Sequence, residues 1–263
     1  WKAGQFTGGV WVLGDWESGV FSTLNAPAYW IDGTWLSGDF ENGIWFNGIF
    51  GSTDRQSRFG TKAYNSRAAI WKSGNWINGS FHSRLNLDDD NNTDVSDIHK
   101  YSIWETGNWF NGDFYGGVVY NIDFKSGTWY GGILEDVAII GMQNSVNGNY
   151  FEIEGQSPYN IGYEISIIDN QIGGTYSTLG SNSSPGFYTV VYSIEDITNN
   201  TTKIYVDKPL PYNVSTYSDT DLRLVSRFRN CNWKSGIWTN GLYEKGLWEG
   251  GIWYNGVFSA IWM

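Results

Sequence analysis

Hydrophobic positions along most of this chain follow neither a helical nor a simple strand rhythm, because large rings recur at every fifth residue. From Trp233 to Phe258 the sequence reads WKSGI WTNGL YEKGL WEGGI WYNGV F, an aromatic opening each pentad and Gly filling its fourth place. The same beat runs through Trp1, Phe6, Trp11, Trp16 and Phe21, then Trp30, Trp35, Phe40, Trp45 and Phe50. It returns at Trp71, Trp76 and Phe81, and at Trp104, Trp109, Phe114, Val119, Phe124, Trp129 and Leu134. A period of five would scatter these residues around a helix and over both faces of a flat strand. A chain that turns a corner about every fifth residue gathers them on one side, so the spacing predicts a narrow, aromatic-cored β-solenoid and excludes a helix. Gly at a fixed phase supplies the turn, helped by the preceding Asn in Asn42-Gly43, Asn47-Gly48, Asn78-Gly79, Asn111-Gly112, Asn240-Gly241 and Asn255-Gly256.

Each Gly also lies two residues before the next ring, on the same side of an extended segment. Where the beat restarts after an interruption, Ala28, Ala69, Ser102, Ser226 and Cys231 occupy that place, so the position demands small volume as well as a turn. Ile122 and Ile261 depart from this rule. A lone pentad cannot stand: burying one ring contributes roughly 4–6 kcal/mol, whereas ordering five residues costs on the order of 7 kcal/mol. Stability must therefore come from stacked coils that share rings and a backbone ladder.

The small-x-aromatic-x-x frame resembles the pentapeptide-repeat proteins, whose four-sided β-helix turns one small and one large residue inward in every five. That resemblance implies a four-sided coil here. The W-x-x-G spacing is also similar to that of MORN repeats, whose unit is longer.

Four interruptions break the beat: residues 22–29, the basic stretch 51–70, the acidic stretch 82–103, and residues 135–225. The last changes character. It lacks Trp and offers period-2 alternation in Tyr163-Glu164-Ile165-Ser166-Ile167 and in Lys203-Ile204-Tyr205-Val206-Asp207, with a hairpin turn at Asn199-Asn200-Thr201. The expected organisation is an all-β chain. Residues 1–134 form a β-solenoid with loops 51–70 and 82–103, residues 135–225 an inserted small antiparallel β-barrel (SH3-like or OB-like), and residues 226–263 the solenoid's continuation.

Composition narrows the chemistry. A net charge of −11 disfavours nucleic acid and anionic membrane as partners. No run is long and apolar enough to span a bilayer as a helix, and no leader peptide is visible. The single cysteine, Cys231, falls in the small inward slot and reads as buried filler. Only His82 and His99 could act as an ordinary general base, and no nucleophile elbow, phosphate cradle or metal-spaced Cys/His set occurs. An enzyme is not expected, nor any catalytic, cofactor-binding or metal-binding residue. Asp88, Asp90, Asn92 and Asp94 take places 1, 3, 5 and 7 of a calcium loop, but Thr93 and His99 stand where the turn Gly and the bidentate Glu belong. A solvated acidic loop is the preferred reading. The out-of-phase aromatics Phe46, Tyr115, Tyr130 and Tyr254 are the candidates for a surface role.

Long W-x-x-G-x arrays of this kind, and the order G-x-x-I-x-I-I-D, Y-x-V-V, T-K-I-Y-V-D-K-P in the insertion, resemble structural proteins of tailed-bacteriophage virions. That resemblance implies a non-catalytic scaffold in a tail, fibre or capsid-decoration role. It would be located in the extracellular particle and partnered by other virion proteins or copies of itself. The rival expectation is an extracellular adhesin or glycan-binding module that takes a host surface glycan. The beat running from Trp1 to the last residue also suggests a piece of something longer.

Overall fold

The computed structural model describes residues 1–23, 26–61, 69–83, 102–145, 148–157, 159, 161–169, 177–178, 187–210, 222–254, 256–258 and 261–262. Every described element is a β-strand. Through the pentad regions the strands are two or three residues long and pass in rotation to three sheets. Gln5–Phe6 enters the first, Gly9–Trp11 the second and Asp15–Trp16 the third, and Val20–Phe21 then returns to pair parallel with Gln5–Phe6. The β-solenoid is therefore three-sided, not four-sided. Trp30 lies in register with Trp45, so an uninterrupted coil takes fifteen residues, one pentad per side.

Ring size accounts for the third side closing the coil. In the rung formed by Phe21, Trp30 and Trp35, each ring meets both others edge to face, at centroid distances of 6.1, 5.7 and 6.5 Å. A fourth side would push opposite rings apart and open a void at the axis, which close-packed interiors do not tolerate. Along the axis the same rings stack nearly parallel, as in Trp45–Trp71 at 5.0 Å and Trp71–Trp104 at 4.7 Å. Both offset stacking and edge-to-face contact suit the aromatic quadrupole. The result is three columns in one continuous core.

Corners explain the small slot. Gly33 has φ +128°, and a Cβ there would lie 2.2 Å from the carbonyl oxygen of Gly14 on the preceding coil, so the position needs Gly for both backbone and space. At the restarts the chain arrives from an insertion instead of a tight corner. Ala28, Ala69, Ser102 and Ser226 show no positive φ there, and only small volume is required. Cys231 and Ile122 fill corners of ordinary length, again without positive φ, and both are buried.

The stretch 51–70 is not a single loop. Ser57–Phe59 forms a rung of the first sheet between Gly38–Phe40 and Ser80–Phe81, and Phe59 stacks on Phe40 at 4.6 Å. The small-x-aromatic frame survives in Ser57-Arg58-Phe59, but off the five-residue beat. The candidate calcium loop, Asp88 to Asp94, lies outside the described residues, as does His99.

The insertion is antiparallel. Gly141–Ser145 pairs with Gly148–Glu154, which pairs with Thr201–Val206, then Phe187–Asp196, Glu164–Asp169 and Leu222–Phe228. Leu224 and Arg223 pair with Val137–Ala138, and Ile140 N–H donates to Glu152 O at 2.8 Å, which closes the ring into a barrel. Its core is aliphatic with a few rings, among them Ile165, Ile167, Phe151 and Ile204. The hairpin turn before Thr201 carries Asn200 at φ +52°, and the Asp196 carboxylate accepts from the backbone N–H groups of Thr198 and Asn199.

Candidate functional site

Solenoid and barrel share one strand. The first half of Leu222–Phe228 pairs antiparallel with Glu164–Asp169, whereas Arg227 and Phe228 pair parallel with Asp123 and Phe124 on one side and with Leu242 and Tyr243 on the other. Charges lock this join. Arg229 holds Asp123 with two hydrogen bonds of 2.9 and 3.1 Å and also reaches Glu164 at 2.7 Å, while Arg227 bonds Glu244 at 2.6 Å and pairs with Glu164. Burial pushes the Asp123 carboxyl up, with Arg229 opposing. A second tie comes from Tyr163, whose hydroxyl accepts from Gly74 N–H at 2.8 Å and lies 3.2 Å from Ser73 Oγ.

Beside the Tyr163 tie, with Ser73 in its wall, a cleft of about 520 Å³ separates the barrel from one edge of the solenoid. On the solenoid side its wall is a row built by the repeat itself. Phe46, Lys72, Glu105 and Tyr120 each follow the inward residue of the second sheet, so successive coils place them one above another. Lys72 Nζ donates to Glu105 Oε1 at 2.6 Å. The barrel contributes Ile153, Glu154, Gln156 and Tyr159 to the opposite wall.

Tyr159 is 5% exposed, and its hydroxyl has no hydrogen-bond partner among the described residues. Leaving such a group unpaired costs about 1–3 kcal/mol. Burial pushes this phenol far above its ordinary pKa, with the Glu105 charge adding to the effect, so it stays protonated and available as a donor. Burial likewise raises Tyr120, helped by Glu135 and Glu105.

No family model, curated protein or solved structure matches this chain. The site rests on its own geometry.

A second cleft, about 370 Å³, lies over the outer face of the first sheet and includes Arg55, Arg58, Asn78, His82, Asp113 and Tyr115. His82, Tyr115 and Tyr130 form an outward ladder with ring centroids 4.7 and 4.6 Å apart. Burial, with the Arg58 charge adding, pushes His82 down to about 4, so its ring is neutral at pH 7. Arg58 is already committed to Asp39 through two hydrogen bonds of 2.6 Å.

Phe46, Tyr115, Tyr130 and Tyr254 all lie at the surface, 39 to 67% exposed. Of these, only Phe46 enters the junction cleft and only Tyr115 the second one. Cys231 is buried, and burial pushes its thiol well up, which suits filler and not a nucleophile. Among the described residues no group of three or more His, Cys, Asp or Glu could hold a metal ion. Sequence reasoning missed Lys72, Glu105, Tyr120 and Tyr159. The first three were accessible in principle, because the residue after each inward ring falls in one row. Tyr159 carries no such signal, since its place depends on how the barrel docks.

Proposed function

We propose that this chain is a non-catalytic structural component of a larger assembly, a tailed-phage virion being the setting its repeat resembles. One observation carries the reading: the in-phase rings from Trp16 to Tyr243 are fully buried, so the repeat stiffens a rod and leaves no open aromatic groove. A glycan-binding groove made of in-phase Trp is disfavoured by the same burial. The outer face of the second sheet supports a partner along the rod. In register on successive coils it carries Ile44, Ile70, Ile103, Ile133 and Ile237, each half-buried, with Val118 among them already buried and the exposed Val10 and Ile252 toward its two ends, an aliphatic row where the first sheet shows Asp39, Arg58, Ser80 and Asp113. Copies of this chain or other virion proteins would cover it, in a particle outside the cell.

Light scattering at micromolar concentration, together with mass spectrometry of purified particles, tests the reading. Self-assembly, or the chain recovered in stoichiometric amounts from particles, supports it. A stable monomer that is also absent from particles overturns it.

A further inference from the structure

The junction cleft has a composition that selects its occupant. Its lining combines donors (Lys72, Tyr120 and Tyr159) and acceptors (Glu105 and Glu154) with apolar surface that includes the Phe46 ring. Wholly apolar ligands would bury the Lys72–Glu105 pair without replacing its water. Anions would meet two carboxylates against one ammonium, in a chain that is already strongly acidic. A neutral molecule rich in hydroxyls with one apolar face fits both the mixed donors and acceptors and the Phe46 ring. That describes a pyranose ring, whose axial C–H face packs on an aromatic ring while its rim hydroxyls both donate and accept.

The volume suits one or two such rings, being within the range of small-ligand sites, and the position between two packed units is where such sites concentrate. Tyr159 supplies the independent sign of a ligand: a hydroxyl almost entirely buried, unpartnered among the described residues, on the barrel wall of the cleft and near enough to Glu105 to feel its charge. We propose that the cleft between barrel and solenoid binds a neutral mono- or disaccharide, with Tyr159 donating to a sugar hydroxyl, Lys72 and Glu105 bracketing the rim, and Phe46 under the ring face. The site does not depend on the particle reading, since a scaffold needs no ligand and a sugar binder needs no particle.

The test uses the full chain. Calorimetric titration and saturation-transfer NMR are run against methyl hexosides, N-acetylhexosamines and neutral disaccharides, with glucuronate and N-acetylneuraminate as acidic controls. At least one neutral sugar should bind saturably, and the acidic sugars at least tenfold more weakly. Tyr159→Phe should lose at least tenfold in affinity while its melting temperature stays level or rises, because the change removes an orphan hydroxyl and leaves the ring. Phe46→Ala, at a half-exposed position, should weaken binding comparably and decides the matter if Tyr159→Phe fails to fold. Absence of saturable binding across the neutral panel overturns the proposal. So does unchanged affinity in Tyr159→Phe or Phe46→Ala, or a preference for acidic sugars. Light scattering on the same samples reports on assembly separately, so the two readings fail independently.

Discussion

Solenoid and barrel both bury rings and aliphatic side chains between strands, yet they reach a core by opposite routes. In the solenoid a residue meets its own counterpart one coil away, as Trp71 meets Trp45 and Trp104, so one solution is repeated along an axis. In the barrel Ile167, Phe151, Tyr188 and Leu224 come from four different strands, and each packing problem is solved once. Repetition makes the solenoid tolerant of interruption at its corners, where whole segments leave and return without altering the columns. It also makes it intolerant at the small slot, where each coil touches the next through backbone.

That contrast can be broken experimentally. The largest expected loss is for Trp71→Ala, about 3–5 kcal/mol, with hydrogen-exchange protection falling in the adjacent coils and little in the barrel. Ile167→Ala should cost about 2–5 kcal/mol and do the reverse, loosening barrel amides first. Equal loss of protection everywhere in both variants would mean that the two regions unfold as one unit.

Gly33→Ala should come next, at about 2–4 kcal/mol in chemical denaturation, because its Cβ would strike the Gly14 carbonyl at positive φ. Gly162→Ala in the barrel shares a positive φ of +87° but meets nothing within 4 Å, so its cost should be only about 1 kcal/mol. Similar values at the two sites would remove the case for backbone contact between coils.

Arg229→Ala strikes the join and should cost about 2 kcal/mol at pH 7 by leaving the buried Asp123 without its two hydrogen bonds, with only Lys125 at 4.0 Å to offset its charge. A carboxyl whose pKa is raised by folding binds its proton more tightly in the folded chain, so this variant should regain stability as the pH falls through that raised pKa. A loss that is independent of pH would exclude Asp123 as its source.

The smallest effect concerns His82. Its folded pKa of about 4 lies below the ordinary 6.5, so the unfolded chain binds the extra proton between those values. Stability contributed here is full above about pH 6.5 and lost on descending toward 4. The difference in melting between wild type and His82→Gln should track that window with an amplitude on the order of 1 kcal/mol, the half-buried ring being partly screened. Arg58 adds to the downward shift and Asp39 opposes it. A flat difference curve would show that the ring is not desolvated.

The columns were legible because a fixed period with a fixed small partner admits few geometries. The number of sides was not, since a beat of five fits three or four sides equally and the choice rests on how three rings close on an axis. Phe59 escaped because nine residues, not five, separate it from Phe50, although Ser57 before it keeps the small slot. The barrel's alternation and its turn at Asn200 read directly. The cleft did not, being a product of docking: Tyr159 faces Lys72 and Glu105 across a gap that no local pattern encodes.

Coil stacking has a consequence for evolution. Neighbouring strands lie ~4.8 Å apart, so this architecture converts chain into length at roughly a third of an ångström per residue. Duplication or loss of forty-five nucleotides would lengthen or shorten the rod by a single step while every surviving contact keeps its kind. Such a gene can tune a molecular distance by slippage, in uniform increments, without having to reinvent a fold.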